Sequence, residues 1–218
     1  MTDAFKDFTR LFLLVILCFV LQPNAILAQE IPDYRTKKES LLKLREKDIR
    51  SDIAIFTLTG IVERTGRPPL QGTPPKGYND KELNFEGNNV RVTVKKDFFD
   101  PEKHKLAYEE KYVAKIDKKP FYGSLGSVPQ TSITGITMLI GADTVAIPPA
   151  AYADLHNPAF FYRDASGATK SLNGLYFSPD GRKIYIYLLS RNGSNSYEVT
   201  WIIQDKVYLK RVLDYDLN

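Results

Sequence analysis

The sequence predicts a mainly β protein: an antiparallel meander in a sandwich or barrel-like domain, preceded by one N-terminal helix. Three observations predict it. Strand-like runs recur through the last sixty residues at roughly 8 to 12 residue spacing with turn chemistry between them. Asn89 to Asp97 (NVRVTVKKD) alternates, with Val90, Val92 and Val94 on one face and Arg91, Thr93 and Lys95 on the other, the period of a half-buried strand. Residues 33–52, in contrast, are dominated by good helix formers with neither Gly nor Pro, and Asp33 after Pro32 is positioned as an N-cap.

In chain order, Lys6 and Arg10 precede an apolar run from Leu11 to Leu21, a polar break at Gln22-Pro23-Asn24, and Ala25-Ile26-Leu27-Ala28 before Gln29. This is the order of a secretory signal, with cleavage between Ala28 and Gln29. The run of about 11 apolar residues is short of the roughly 18 to 20 that cross hydrocarbon. An uncleaved anchor in the inner membrane is therefore the alternative to a periplasmic or extracellular product. Cys18 follows Leu17 inside the apolar run, which does not suit a lipoprotein signal.

Removal of residues 1–28 leaves 29–218, a length that suits one domain with a sizeable core. Cys18 is the only cysteine, so that domain has neither disulfides nor thiol chemistry and depends on packing. The formal charge of +4 is spread over 30 basic and 26 acidic residues in the whole chain, too balanced for a nucleic-acid footprint.

The helix over 33–52 has few apolar residues, chiefly Leu41, Leu42, Leu44 and Ile49, and can bury only a narrow stripe. Ile53 to Val62 (IAIFTLTGIV) is rich in β-branched and aromatic residues and reads as a strand. The tract 65–80 (TGRPPLQGTPPKGYND), with four prolines and three glycines, reads as a loop. Leu106 to Asp117 reads as a strand and 118–130 as a loop. ITGITMLIG, the turn at Ala142-Asp143 and TVAIP form a hairpin, and PPAAYADLHNP holds a helical turn or two. The closing strands are Ala159 to Arg163, Gly174 to Phe177, Lys183 to Leu189, Ser196 to Gln204 and Val207 to Leu213.

Each chemical motif has a plainer reading. LYFSPDGRKIYIYL is similar to a blade of the periplasmic β-propellers, but a propeller needs several such blades and the motif occurs once; Pro179-Asp180-Gly181 is a turn. DASGATKS (164–171) lacks the Gly before Lys170 and the following helix that a phosphate loop requires. GSLG at 123–126 is too short for a dinucleotide fingerprint. The two histidines are His104, near Asp100 and Glu102, and His156, near Asp154; alternating charges of this kind are more often a solvated turn than a metal site. Asp214 and Asp216 form an acid pair near the C-terminus, a poor place for glycoside chemistry. Asn192-Gly193-Ser194 is a sequon that has meaning in a eukaryote and is otherwise a hairpin loop. No residue is assigned to a cofactor or a metal.

The segments IPPAAYADLHNP and YEVTWIIQDKVYLKRVLD resemble stretches of uncharacterised exported proteins of Bacteroidota-type bacteria, over about the C-terminal third of the chain. The resemblance implies a periplasmic location and carries over no catalytic residue.

With thirteen tyrosines against two histidines, the chain is richer in contact surface than in acid–base chemistry. A non-enzymatic periplasmic binding or envelope-associated protein is the expectation, with a sugar, peptide or envelope protein as partner; a hydrolase acting on envelope or sugar substrates is the alternative. Strand alternation locates the face. If Ile184, Ile186 and Leu188 point inward beside Val199, Trp201 and Ile203, then Tyr185, Tyr187, Glu198, Thr200, Tyr208 and Lys210 line the opposite side. Tyrosine offers that side an apolar ring and a polar tip. Cover by the N-terminal helix or a second sheet would instead make these residues a second core.

Overall fold

A computed structural model describes residues 39–61, 64, 66–215 and 217. The signal segment, its Ala28/Gln29 cleavage site and residues 33–38 of the expected helix lie outside them. Among the described residues, fourteen strands form two five-stranded antiparallel sheets and two hairpins, and no sheet closes into a barrel.

The first sheet has the order β1 (Gln71–Thr73), β11 (Gly174–Phe177), β12 (Lys183–Ser190), β13 (Tyr197–Gln204) and β14 (Val207–Tyr215). As expected, Ile184, Ile186 and Leu188 lie beside Val199, Trp201 and Ile203, and the register pairs Ile184 with Ile203, Ile186 with Trp201 and Leu188 with Val199. The second sheet has the order β2 (Gly77–Tyr78), β3 (Glu82–Gly87), β4 (Val90–Phe98), β7 (Thr131–Ile140) and β8 (Asp143–Val145). Inner faces of the two sheets share one core, in which Leu83, Phe85, Val92 and Met138 meet Leu175, Ile186, Val199 and Trp201. The hairpins are β5 (Leu106–Glu109) with β6 (Tyr112–Ile116), and β9 (Tyr162–Arg163) with β10 (Thr169–Lys170).

Every residue of β12 and all but the last of β13 are buried, on both faces. A strand pair apolar on both sides must be covered on both. The outer cover is helical: α1 (Glu39–Leu42) and α2 (Lys47–Phe56) place Leu41, Ile49, Ile53 and Ala54 on Tyr185, Ile202 and Val212, with Leu44 added from the link between them. The expected single helix is thus two, interrupted at 43–46, and the strand expected over 53–62 is a correction. Ile53 continues the stripe of Ile49 at i+4 spacing, and this tertiary burial outweighs the β propensity of the run. The helix stops where Thr57 turns extended and its hydroxyl donates to Ile53 O. Gly60 then passes so close that a Cβ there would lie 2.3 Å from Ala54 Cα.

Two other expectations change. The Pro-rich tract 65–80 contains β1 and β2, edge pieces paired to β11 and β3, so it passes from one sheet to the other. Pro68 and Pro69 precede β1, and Pro74 and Pro75 sit between β1 and β2, so none falls within a pairing. Leu106 to Asp117 is a hairpin and not one strand, because Glu110 adopts φ 53° and turns the chain. The turn in PPAAYADLHNP is a 3-10 helix over Pro149–Ala151. It anchors the layers: Trp201 Nε1 and Arg211 Nη1 both donate to Ala151 O, at 2.8 and 3.0 Å.

Trp201 is fully buried. Trp201→Ala is expected to cost about 3 to 5 kcal/mol, because it removes a large core volume and leaves Ala151 O one donor short. Denaturant unfolding of the full chain measures this, and a loss under about 1 kcal/mol would place Trp201 outside the energetic core.

Candidate functional site

The six residues expected on one binding face are assembled by the first sheet, but the chain itself covers them. Tyr185, Tyr187, Glu198 and Thr200 are buried beneath the helical segment 40–60. Phe56 stacks on Tyr176 at 4.1 Å between centroids and meets Tyr185 and Tyr187 at 5.7 and 5.5 Å. Tyr185 Oη donates to Asp52 Oδ2 at 2.6 Å, Lys210 Nζ to Glu46 Oε1 at 2.5 Å, and Lys183 Nζ reaches Asp48 at 3.1 Å. An open face is therefore corrected to a second core with polar ties. Tyr208 does not belong to it. A bulge at Leu209 puts Tyr208 opposite Ile203 and Lys210 opposite Ile202, so Tyr208 packs on the inter-sheet core and only Lys210 stays on the helix side.

The polar centre of this face is a carboxyl pair. Glu198 and Asp214 are cross-strand partners, and each is 2 % exposed. Glu198 accepts from Leu58 N at 2.8 Å, Thr59 N at 2.9 Å, Thr59 Oγ1 at 2.7 Å and Tyr187 Oη at 2.6 Å. Asp214 Oδ1 accepts from Ser40 N at 3.2 Å, and its Oδ2 lies 3.4 Å from Thr59 Oγ1. Burial, reinforced by the negative charge of Glu198, pushes the Asp214 carboxyl up to about 7. Burial raises the Tyr185 and Tyr187 phenols above their usual range, and the adjacent carboxylates add to it. Asp214 is thus not the frayed terminal acid that its sequence position suggests; its partner is Glu198, sixteen residues upstream in the facing strand, and Asp216 lies outside the described residues. Strand alternation places Glu198 on this face, but the pairing follows only from the register.

The histidines separate. His104 Nδ1 is 2.7 Å from Asp117 Oδ2, not from Asp100 or Glu102, and its ring stacks on Phe99 at 4.6 Å. Asp100 pairs with Lys103 at 3.0 Å. Asp154 is committed to Arg211, which grips both its oxygens at 2.5 Å. His156 is 2 % exposed, edge-on to Phe99 and Phe121, and neither ring nitrogen has a hydrogen-bond partner among the described residues. Its burial lowers its pKa to about 4. No group of three or more metal-ligating side chains occurs among the described residues. The SPDG and DASGATKS segments are turns: Asp180 accepts from Ser178 Oγ and Arg182 N, and Asp164 from the amides of Ser166 and Ala168.

A second surface escaped the sequence reading. The β5–β6 hairpin and the segment 121–128 are joined by Val113 N donating to Gly126 O at 3.0 Å. They rest on a small core of Phe99, Val113 and Ile116, flanked by Leu106 and Phe121. On the side turned away from it, Tyr112 and Leu125 are 52 and 73 % exposed; Tyr108, 56 % exposed, pairs with Val113 and so lies on the other face of the hairpin. Tyr112 packs against Gly126, where φ is +70° and a Cβ would lie 3.0 Å from the ring. Lys111 Nζ sits 5.3 Å from the Tyr112 centroid. The signal that could have found this platform was the two-residue turn Glu110-Lys111 inside an apparent strand, with Tyr112 just after it.

No family model, curated protein or solved structure matches the chain.

Because His156 folds neutral with a pKa near 4 and unfolds with one near 6.5, the unfolded state binds more protons between these values. Stability held above pH 6.5 is therefore lost as pH falls toward 4, by about 2 kcal/mol at pH 5. His156→Phe should flatten this acid limb, read by denaturant unfolding at pH 7.5 and 5. A limb unchanged in the variant would assign it to other groups.

Proposed function

We propose that this chain acts outside the cytoplasm as a non-enzymatic binding or envelope-associated module, and that the hairpin platform at Tyr112 and Leu125, with Lys111 beside it, is its contact surface. The observation that carries the reading is the exposure of Tyr112 and Leu125 on one side of a hairpin and its adjoining segment, which have their own buried support on the other. Exposed aromatic rings fixed on a rigid base bind at low entropic cost. An envelope saccharide is the ligand chemistry favoured: a tyrosine ring stacks on the apolar face of a sugar, while the phenol and the Lys111 ammonium can reach its hydroxyls. The polar groups that hydrolysis would need are engaged elsewhere, Glu198 by four donors from its own chain and Asp154 by Arg211. The export signal read in residues 1–28 supports the location.

Co-sedimentation of the full-length mature chain with purified envelope polysaccharide tests this. Binding is expected to fall about tenfold in the Tyr112→Ala/Leu125→Ala double variant, about 1.4 kcal/mol. Absence of binding by the wild type, or equal binding by the variant, would overturn the reading, and release of reducing ends by the wild type would replace it with hydrolysis.

A further inference from the structure

We propose that Glu198 and Asp214 form a proton-controlled latch: with one proton on Asp214 the pair holds the helical segment 40–60 on the first sheet, and loss of that proton loosens the segment.

Three observations converge on it. The two carboxyls face each other across the β13–β14 register, both withdrawn from solvent, and among the described residues neither is paired with a cation. Their hydrogen-bond partners come from both ends of the helical segment, Ser40 at its start and Leu58 and Thr59 at its finish. The third is the supply of hydrogens. A hydroxyl has one hydrogen, and Thr59 Oγ1 gives its own to Glu198 at 2.7 Å. Asp214 Oδ2, 3.4 Å from the same hydroxyl oxygen, faces a lone pair unless it carries a proton of its own to donate. Protonated Asp214 completes the chain from Asp214 to Thr59 to Glu198. Ionised Asp214 leaves two negative charges in one buried site, with one hydrogen too few between three oxygens.

The other charged and titratable groups on this face are already matched. Glu46 faces Lys210, Asp48 faces Lys183, Asp52 accepts from the Tyr185 phenol, and the Tyr187 phenol donates to Glu198. Asp214 has the Ser40 amide and side chain as donors but no cation among the described residues, and these donors do not offset its burial beside Glu198. Burial and Glu198 raise its carboxyl to about 7 from an ordinary value of 3.8. A folded pKa above the unfolded one means that the attached state binds more protons between those values. Attachment is therefore strongest in acid, weakens as pH rises toward 7, and levels off above it. Loosening would uncover Tyr185 and Tyr187.

Amide exchange of the full-length mature chain, read by mass spectrometry between pH 5 and 8 and corrected for intrinsic rate, tests the latch. The opening constant of residues 40–60 should rise by about tenfold or more across this range, while β12 and β13 stay protected. In Asp214→Asn, which keeps the shape and the donor, the opening constant should not change with pH. A wild type whose segment 40–60 is equally protected at pH 5 and 8, or an Asn variant that keeps the wild-type dependence, would overturn the proposal. Should the variant not fold, carboxyl carbon NMR of the wild type decides instead: an Asp214 midpoint near 7, coincident with the exchange midpoint, supports the latch, and one below 5 overturns it.

Discussion

Strands β12 and β13 bury apolar or aromatic side chains on both faces, and this one condition sets the layering of the molecule, since a sheet that leaves either face to water would expose rows of Ile, Tyr and Trp. The second sheet covers the side that carries Ile186, Val199 and Trp201. The helical segment covers the side that carries Tyr185 and Ile202. Each cover is tied down by polar contacts at the point where it would otherwise slide. On the inter-sheet side Ala151 O receives both the Trp201 indole and the Arg211 guanidinium, and on the helix side Glu198 receives the amides that follow α2.

The closing strands were legible in the sequence because turn residues bracket them: SPDG joins β11 to β12, the loop 191–196 joins β12 to β13 and QDK joins β13 to β14, and alternation puts Ile184, Ile186, Trp201 and Ile203 on one face. Alternation also placed Tyr185, Tyr187, Glu198 and Thr200 together. Three features were not legible, each for a physical reason. IAIFTLTGIV has the composition of a strand, but its first four residues finish a helix whose stripe is completed from the preceding turns, so only the partner sheet decides between the two. The bulge at Leu209 reverses the side of Tyr208, and a single extra residue leaves no trace in a pattern of period two. Whether the tyrosine face is open or covered depends on where residues 40–60 travel, which is a long-range matter: the bond from Ser40 to Asp214 spans 174 residues.

The buried histidine and the buried carboxyl pair lie against different cores and work in opposite senses. His156 is held neutral among Phe99 and Phe121, where a charge would have no partner. Burial and Glu198 hold Asp214 protonated up to about 7. Between about pH 4 and 7 a falling pH loads the first with an unwelcome charge, and a rising pH does so to the second. The two act in the same window with opposite sign, and whole-molecule stability alone would blur two local events that site-resolved exchange separates.

Magnitudes decide which contact governs the helical cover. The pairs at its rim, Asp48 with Lys183 and Glu46 with Lys210, have at least one side chain 37 % exposed or more, and solvent screening leaves such ion pairs little weight. The apolar stripe of Leu41, Leu44, Ile49 and Ile53 contributes far more, at about 1.5 to 3 kcal/mol per fully buried side chain, but it does not change with pH. Glu46, Asp48 and Asp52 are carboxylates already stabilised by a cation or a phenol donor, and the lowered pKa values of Glu46 and Asp48 keep them charged through neutrality. Among the groups named on this face, the one whose protonation changes near pH 7 in a site closed to water is Asp214. A large constant attraction from the stripe sets how firmly the segment is held, and a smaller variable term at one carboxyl sets when it lets go.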